Sequence, residues 1–197
     1  MYNKLPNLIL AFHGCDEKVY KRVIYNREAL KSSYNSYDWL GSGVYFWEAN
    51  HQRALEWAKE KVKREEYSKA AVIGAVIDLG YCLNLTDSSF VPLLKNGYTL
   101  LKSRVYNDGL EMPCNIGGDN NMLRYLDCAV IEHVHGYLRE NGSKEFDSVR
   151  GIFVEGNEIY EGSGFYQNTH VQICVRNPNC IKGYFAPLQE NPQFDLP

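Results

Sequence analysis

One stretch, Gly41-Ser42-Gly43-Val44-Tyr45-Phe46-Trp47-Glu48, constrains this chain more than any other. Its two glycines let another group approach the backbone closely, its three aromatics offer flat faces, and Glu48 adds an acid. That is more than a plain strand needs. The stretch reads either as a buried aromatic strand entered through a glycine turn, or as a strand that offers its rings to a planar ligand. The run that follows carries Ala54, Leu55, Trp57, Ala58 and Val62 on one stripe with charges opposite, which predicts a helix ending near Glu66. The charged run 59–69 is then a solvated helix face rather than a nucleic-acid contact.

With 197 residues, 45% of them hydrophobic, the chain suffices for one well-buried domain, expected to span 1–197. A net charge of -3 argues against broad electrostatic adhesion to nucleic acid or an anionic membrane, while leaving room for a local basic patch. The six cysteines, Cys15, Cys82, Cys114, Cys128, Cys174 and Cys180, form no C-x-x-C pair, so free thiols in a reducing cytoplasm are expected. Met1 to Pro6 leads into an apolar run too short for a secretory core, and no stretch reaches the length of a membrane span. The expectation is a cytoplasmic protein without a membrane partner.

Along the chain, Leu8-Ile9-Leu10-Ala11-Phe12-His13-Gly14 predicts a buried strand that opens into a turn at its histidine. A helix is expected from Asp16 to about Leu30, then a tyrosine-rich loop with Tyr34, Tyr37 and Trp39. The β-branched run Val72 to Leu79 predicts a central strand covered on both faces. Asp87 can cap a short helix stopped by Gly97, with a second helix from Tyr98 to Val105 and a surface loop over 107–121. The stripe Leu126, Ala129, Val130, His133, Val134, Tyr137, Leu138 predicts an amphipathic helix that buries His133 and exposes His135. Strands are expected at Val149 to Val154 and His170 to Arg176. In the second, His170, Gln172 and Cys174 share one face, opposite Val171, Ile173 and Val175.

Phe12-His13-Gly14, then Gly41-Ser42-Gly43-Val44-Tyr45-Phe46, then Val171-Gln172-Ile173 occur in that order. With these three elements the sequence resembles the ADP-ribosyltransferases of the diphtheria-toxin and poly(ADP-ribose) polymerase type, across residues 8 to 185. The resemblance implies an α+β fold with a split mixed β-sheet and packed helices, and NAD as co-substrate. It implies that His13 bonds a ribose hydroxyl, that the Gly14 backbone holds the nicotinamide carboxamide, and that Tyr45 stacks on nicotinamide beside Gly43. Trp57 would supply a second aromatic platform one residue beyond the family's usual place; it also suits the apolar core stripe. The catalytic set would be His13, Tyr45 and Gln172. The family's usual glutamate is here Gln172, which keeps a hydrogen-bonding amide but lacks the charge that favours an oxocarbenium-like ribose. Single transfer is therefore expected rather than chain elongation, with Glu155, Glu158 and Glu161 as candidate helpers in the preceding loop.

Competing readings keep the fold without transfer: a module that binds NAD or ADP-ribose, or an NAD glycohydrolase. A thiol enzyme built on Cys15 and His13 is weakened by the intervening glycine, which would turn the chain between them, and a zinc site among the histidines and cysteines lacks metal-ligand spacing. The resemblance and the size suggest a bacterial or phage toxin or effector, with an antitoxin partner and a protein or nucleic-acid acceptor.

Overall fold

The computed structural model describes residues 8–117, 123–188 and 193. The opening hexapeptide and residues 118–121 of the expected loop lie outside them. The elements run β1 (Ile9–Asp16), α1 (Glu17–Ile24), β2 (Val44–Glu48), α2 (His51–Lys63), β3 (Ala70–Ile77), β4 (Cys82–Asn84), α3 (Val91–Asn107), β5 (Asn115–Ile116), β6 (Leu123–Arg124), α4 (Tyr125–Glu140), β7 (Ser148–Phe153), β8 (His170–Val175) and β9 (Ile181–Phe185). Seven strands form one sheet in the order β4-β7-β8-β2-β1-β3-β9, and β5 pairs with β6 apart from it. Within the large sheet β4 and β7 run parallel and every other pair is antiparallel. The protein is therefore an α+β structure on a mixed, mostly antiparallel sheet.

Alternation along the strands sends neighbouring side chains to opposite faces. Ala11, Phe46, Ile73, Ala75 and Ile173 build one core with Val23 of α1. On the other face Trp47 and Val72 pack on Ala54 of α2, while Leu83, Val149 and Cys174 pack with Ile131 and Val134 of α4. The glycine-aromatic strand thus feeds both faces. Asp16 ends β1 and caps α1: its carboxylate accepts from the Lys18 amide at 2.8 Å and from the Ser68 hydroxyl at 2.8 Å. Those bonds, the Lys18 amide first, hold its pKa down at about 2.

Four expectations are corrected. Helix α1 stops at Ile24 rather than near Leu30, because the chain turns through Arg27 at φ 59° and Leu30 donates its amide to the Tyr184 hydroxyl instead. Gly97 does not stop a helix; α3 runs straight through it. A Cβ at Gly97 would overlap the Val134 methyl, so the glycine serves close approach of α3 and α4. The histidines of α4 are also exchanged: His135 is fully buried and His133 only partly. The face that meets the sheet runs through Cys128, Ile131 and His135, at i, i+3 and i+7, and turns His133 toward the rim.

Candidate functional site

The ladder between β1 and β2 is two residue pairs long, Ala11 with Glu48 and Phe12 with Trp47, whereas β1 pairs with β3 along eight. Beyond Phe12 the two strands stop pairing. The far end of β2 bridges to Ser33 instead, through the Ser33 and Gly43 amides and carbonyls. A cleft of about 470 Å³ opens along this line, and His13, Gly43, Tyr45, Trp57 and Gln172 all line it.

His13 stands where the ladder ends. Its Nδ1 lies 2.8 Å from the Tyr45 carbonyl, which can only accept, so Nδ1 carries the proton and Nε2 keeps its lone pair. Burial lowers its pKa, against the opposing hydrogen bond, and the ring is neutral at neutral pH. Tyr45 donates its hydroxyl to the Gly41 carbonyl at 2.8 Å and accepts the Leu40 amide at 3.0 Å. These bonds pin the ring, and burial carries the phenol well above the ordinary tyrosine range. Gly41, at φ 79°, makes the turn that brings its own carbonyl to that hydroxyl.

Antiparallel pairing with β8 sets Trp47 directly opposite Gln172. Gln172 Oε1 accepts the Trp39 indole N–H at 2.6 Å, so the expected ribose acceptor is already half engaged and the amide N–H groups are what remain free to donate. Trp57 lies 5.6 Å from the Trp47 ring centroid, with the Lys61 ammonium 5.3 Å over its own ring. It serves both as core residue and as cleft wall. Gly43 is closed in by β8, since a Cβ there would sit 2.5 Å from the Val175 carbonyl oxygen. Gly14 is not among the residues lining the cleft; a Cβ there would overlap the Ala54 carbonyl, so its bareness lets α2 lie on β1.

Sequence reasoning missed Arg53 and His170 as cleft residues; Trp39, expected within the tyrosine-rich loop, lines the cleft as well. Arg53, 5% exposed, makes two bonds to the Glu155 carboxylate, at 3.0 and 2.9 Å, and one to Glu60 at 3.3 Å. A charge four residues before Trp57 lies on the same helix face, which was the available signal. His170 shares a strand face with Gln172, and its Nδ1 bonds the Asn168 carbonyl at 2.6 Å. Buried Trp47 Nε1, Arg53 Nε and His170 Nε2 have no hydrogen-bond partner among the described residues. Buried polar atoms are normally paired, so each of these three is a candidate contact for a polar group in the cleft.

Of the helper acids, Glu155 lines the cleft, while Glu158 accepts the Gly162 amide on the exposed loop and Glu161 is exposed. Tyr37 lines the cleft edge-on to Tyr125, and Tyr34 points to solvent. Cys15 lies outside the cleft lining, and burial pushes its thiol up to about 12, which removes it as a nucleophile at neutral pH. Among the described residues no group of three or more histidine, cysteine, aspartate or glutamate side chains is placed to hold a metal ion. Nor, among the described residues, is any helix long and apolar enough to cross a membrane.

No family model and no solved structure matches the chain. It is 28% identical over 191 residues to an uncharacterized protein of Methanocaldococcus jannaschii, an alignment covering 87% of this chain and 83% of that one. No activity is attached to that likeness.

Proposed function

We propose that the chain is a mono-ADP-ribosyltransferase that cleaves NAD in the β1–β2 cleft, on a fold of the ADP-ribosyltransferase kind. One observation carries the reading: His13, Tyr45 and Gln172, from three different strands, meet Trp57 of α2 around a single cleft. Nicotinamide lies against the pinned Tyr45 ring and the tryptophan wall, which exclude water from the leaving group. The His13 Nε2 lone pair accepts a ribose hydroxyl and orients the sugar. Cleavage expels neutral nicotinamide and leaves positive charge on the ribose. Gln172 offers dipoles rather than a full charge to that centre, which favours one transfer over chain growth.

The Gln172–Trp39 bond supports a second reading, a module that holds NAD without turning it over. Nicotinamide release from NAD separates the two. Wild type is expected to release it, with His13→Ala and Tyr45→Ala each lowering kcat/KM by about 100-fold. Silence from wild type with release from Gln172→Glu would establish the second reading, and silence from all four without NAD binding would end both.

A cytoplasmic toxin or effector role follows from the same proposal, with an inhibitory protein as partner and a macromolecule as acceptor. Expression in bacteria should then slow growth and His13→Ala should relieve it. Equal growth of the two strains would count against that role.

A further inference from the structure

Gln172 cannot take a proton, because an amide is not basic near neutral pH and its oxygen already accepts from Trp39. Two residues earlier on the same strand face, His170 can. Its Nδ1–H donates to the Asn168 carbonyl, which fixes the tautomer and leaves the lone pair on Nε2. That nitrogen is buried and has no partner among the described residues. The imidazole, its side chain 2% exposed, lines the cleft between the rings of Trp47 and Phe153, at 6.0 and 5.7 Å. Behind it Glu155 Oε2 lies 3.9 Å from Nδ1, and the Arg53 guanidinium holds that carboxylate with two bonds.

A carboxylate near an imidazole, a backbone carbonyl fixing its tautomer and a buried second ring nitrogen left unpaired are the parts of a general base. We propose that His170 is the base of this cleft and that the acceptor it serves is a hydroxyl, of water or of an alcohol; this rests on the NAD reading above. The hydroxyl oxygen bonds to C1 of the nicotinamide ribose as the C1–N bond breaks. The bond's electron pair leaves with nicotinamide, and the hydroxyl proton passes to His170 Nε2 and from there to solvent. A carboxylate acceptor needs no base, and a cationic acceptor finds Glu155 already neutralised by Arg53.

Burial keeps the His170 ring neutral at pH 7, lowering its pKa; Glu155, from the loop after β7, opposes this and Arg53 of α2 adds to it. The rings packed on it from β2 and β7 carry no charge. The rate should therefore fall through an acid limb that lies below pH 6.5.

The test is nicotinamide release by the full chain between about pH 4 and 8, in water and in aqueous methanol, with NAD binding measured by calorimetry. His170→Asn keeps a side-chain N–H for the Asn168 carbonyl while removing the base. Wild type should bind and cleave NAD, form methyl ADP-ribose when methanol is present, and show the acid limb. His170→Asn should bind NAD as wild type does, lose kcat by about 100-fold and lose the limb. Glu155→Gln should move the limb to lower pH, because it removes the group that favours the imidazolium. A His170→Asn variant with wild-type rate and limb overturns the base while the NAD reading stands. A wild type that binds NAD and cleaves it in neither medium overturns the base together with the transferase reading and leaves the binding module. A wild type that does not bind NAD overturns both.

Discussion

Gly14→Ala is expected to lower the unfolding free energy by about 3 kcal/mol, the upper end of what overpacking a tight core costs. The obstacle is the main-chain oxygen of Ala54, which cannot swing aside as the tip of a long side chain could. Either β1 or the whole of α2 must shift. For a chain of this size the melting temperature should drop by roughly 6 to 12 °C. The cost should also reach the cleft, since α2 carries both Arg53 and Trp57. Gly136→Ala is the internal control: an added Cβ there meets nothing within 4 Å and sits within α4, so it should stabilise by up to about 1 kcal/mol. Equal melting temperatures for the two variants would remove the packing explanation of Gly14.

The second large effect is on acid stability. His135 is fully buried against Phe146, with neither ring nitrogen bonded among the described residues, and burial lowers its pKa from 6.5 to about 4. A folded-state pKa below the unfolded one means that the unfolded chain takes up the proton first as pH falls. Stability is therefore complete above pH 6.5 and declines until about pH 4, by about 3 kcal/mol from this residue. His13, His133 and His170 are lowered as well and steepen the same slope. Glu132 extends the loss: burial raises it, but Arg176 and the Ser42 amide bring it down to about 2, so its share goes between pH 4.5 and 2. Urea midpoints of His135→Leu across this range should show a shallower slope, and at pH 7 a stability equal to or above wild type, because an unpaired buried imidazole is replaced by an apolar group. An unchanged slope would mean that His135 takes its proton without unfolding.

Strands with a strong period or a β-branched run were legible: β1, β2, β3, β7 and β8 lie within about two residues of where the sequence places them. Helices α2 and α4 were equally plain. The two outer strands were not. β4 has three residues, too few for a period, and β9 holds Lys182 and Gly183 exposed at its centre, so alternation never shows. Gly97 looked like a terminator because a glycine inside a helix is costly, and the neighbour that justifies it, Val134, is 37 residues away in sequence. His135 was assigned to solvent because the stripe was drawn without Cys128 and Ile131, which turn the buried face toward it.

For the cleft, the motif residues His13, Gly43, Tyr45, Trp57 and Gln172 were found, but not what holds them. Trp39 on Gln172 joins residues 133 apart, and Arg53 on Glu155 joins residues 102 apart. Such pairs arise only once the sheet order sets β8 beside β2. No local spacing encodes them.

The two-pair ladder between β1 and β2 has a mechanical consequence. The sheet consists of two plates, β4-β7-β8-β2 and β1-β3-β9, joined along a seam by a two-pair ladder with the Ala49 amide on the Leu10 carbonyl at one end and the His13 imidazole on the Tyr45 carbonyl at the other. A small change of twist between the plates therefore alters the width of the seam while leaving each plate's own ladders intact. A ligand proposed for the cleft would touch both plates at once, with the His13–Tyr45 bond the tie beyond Phe12.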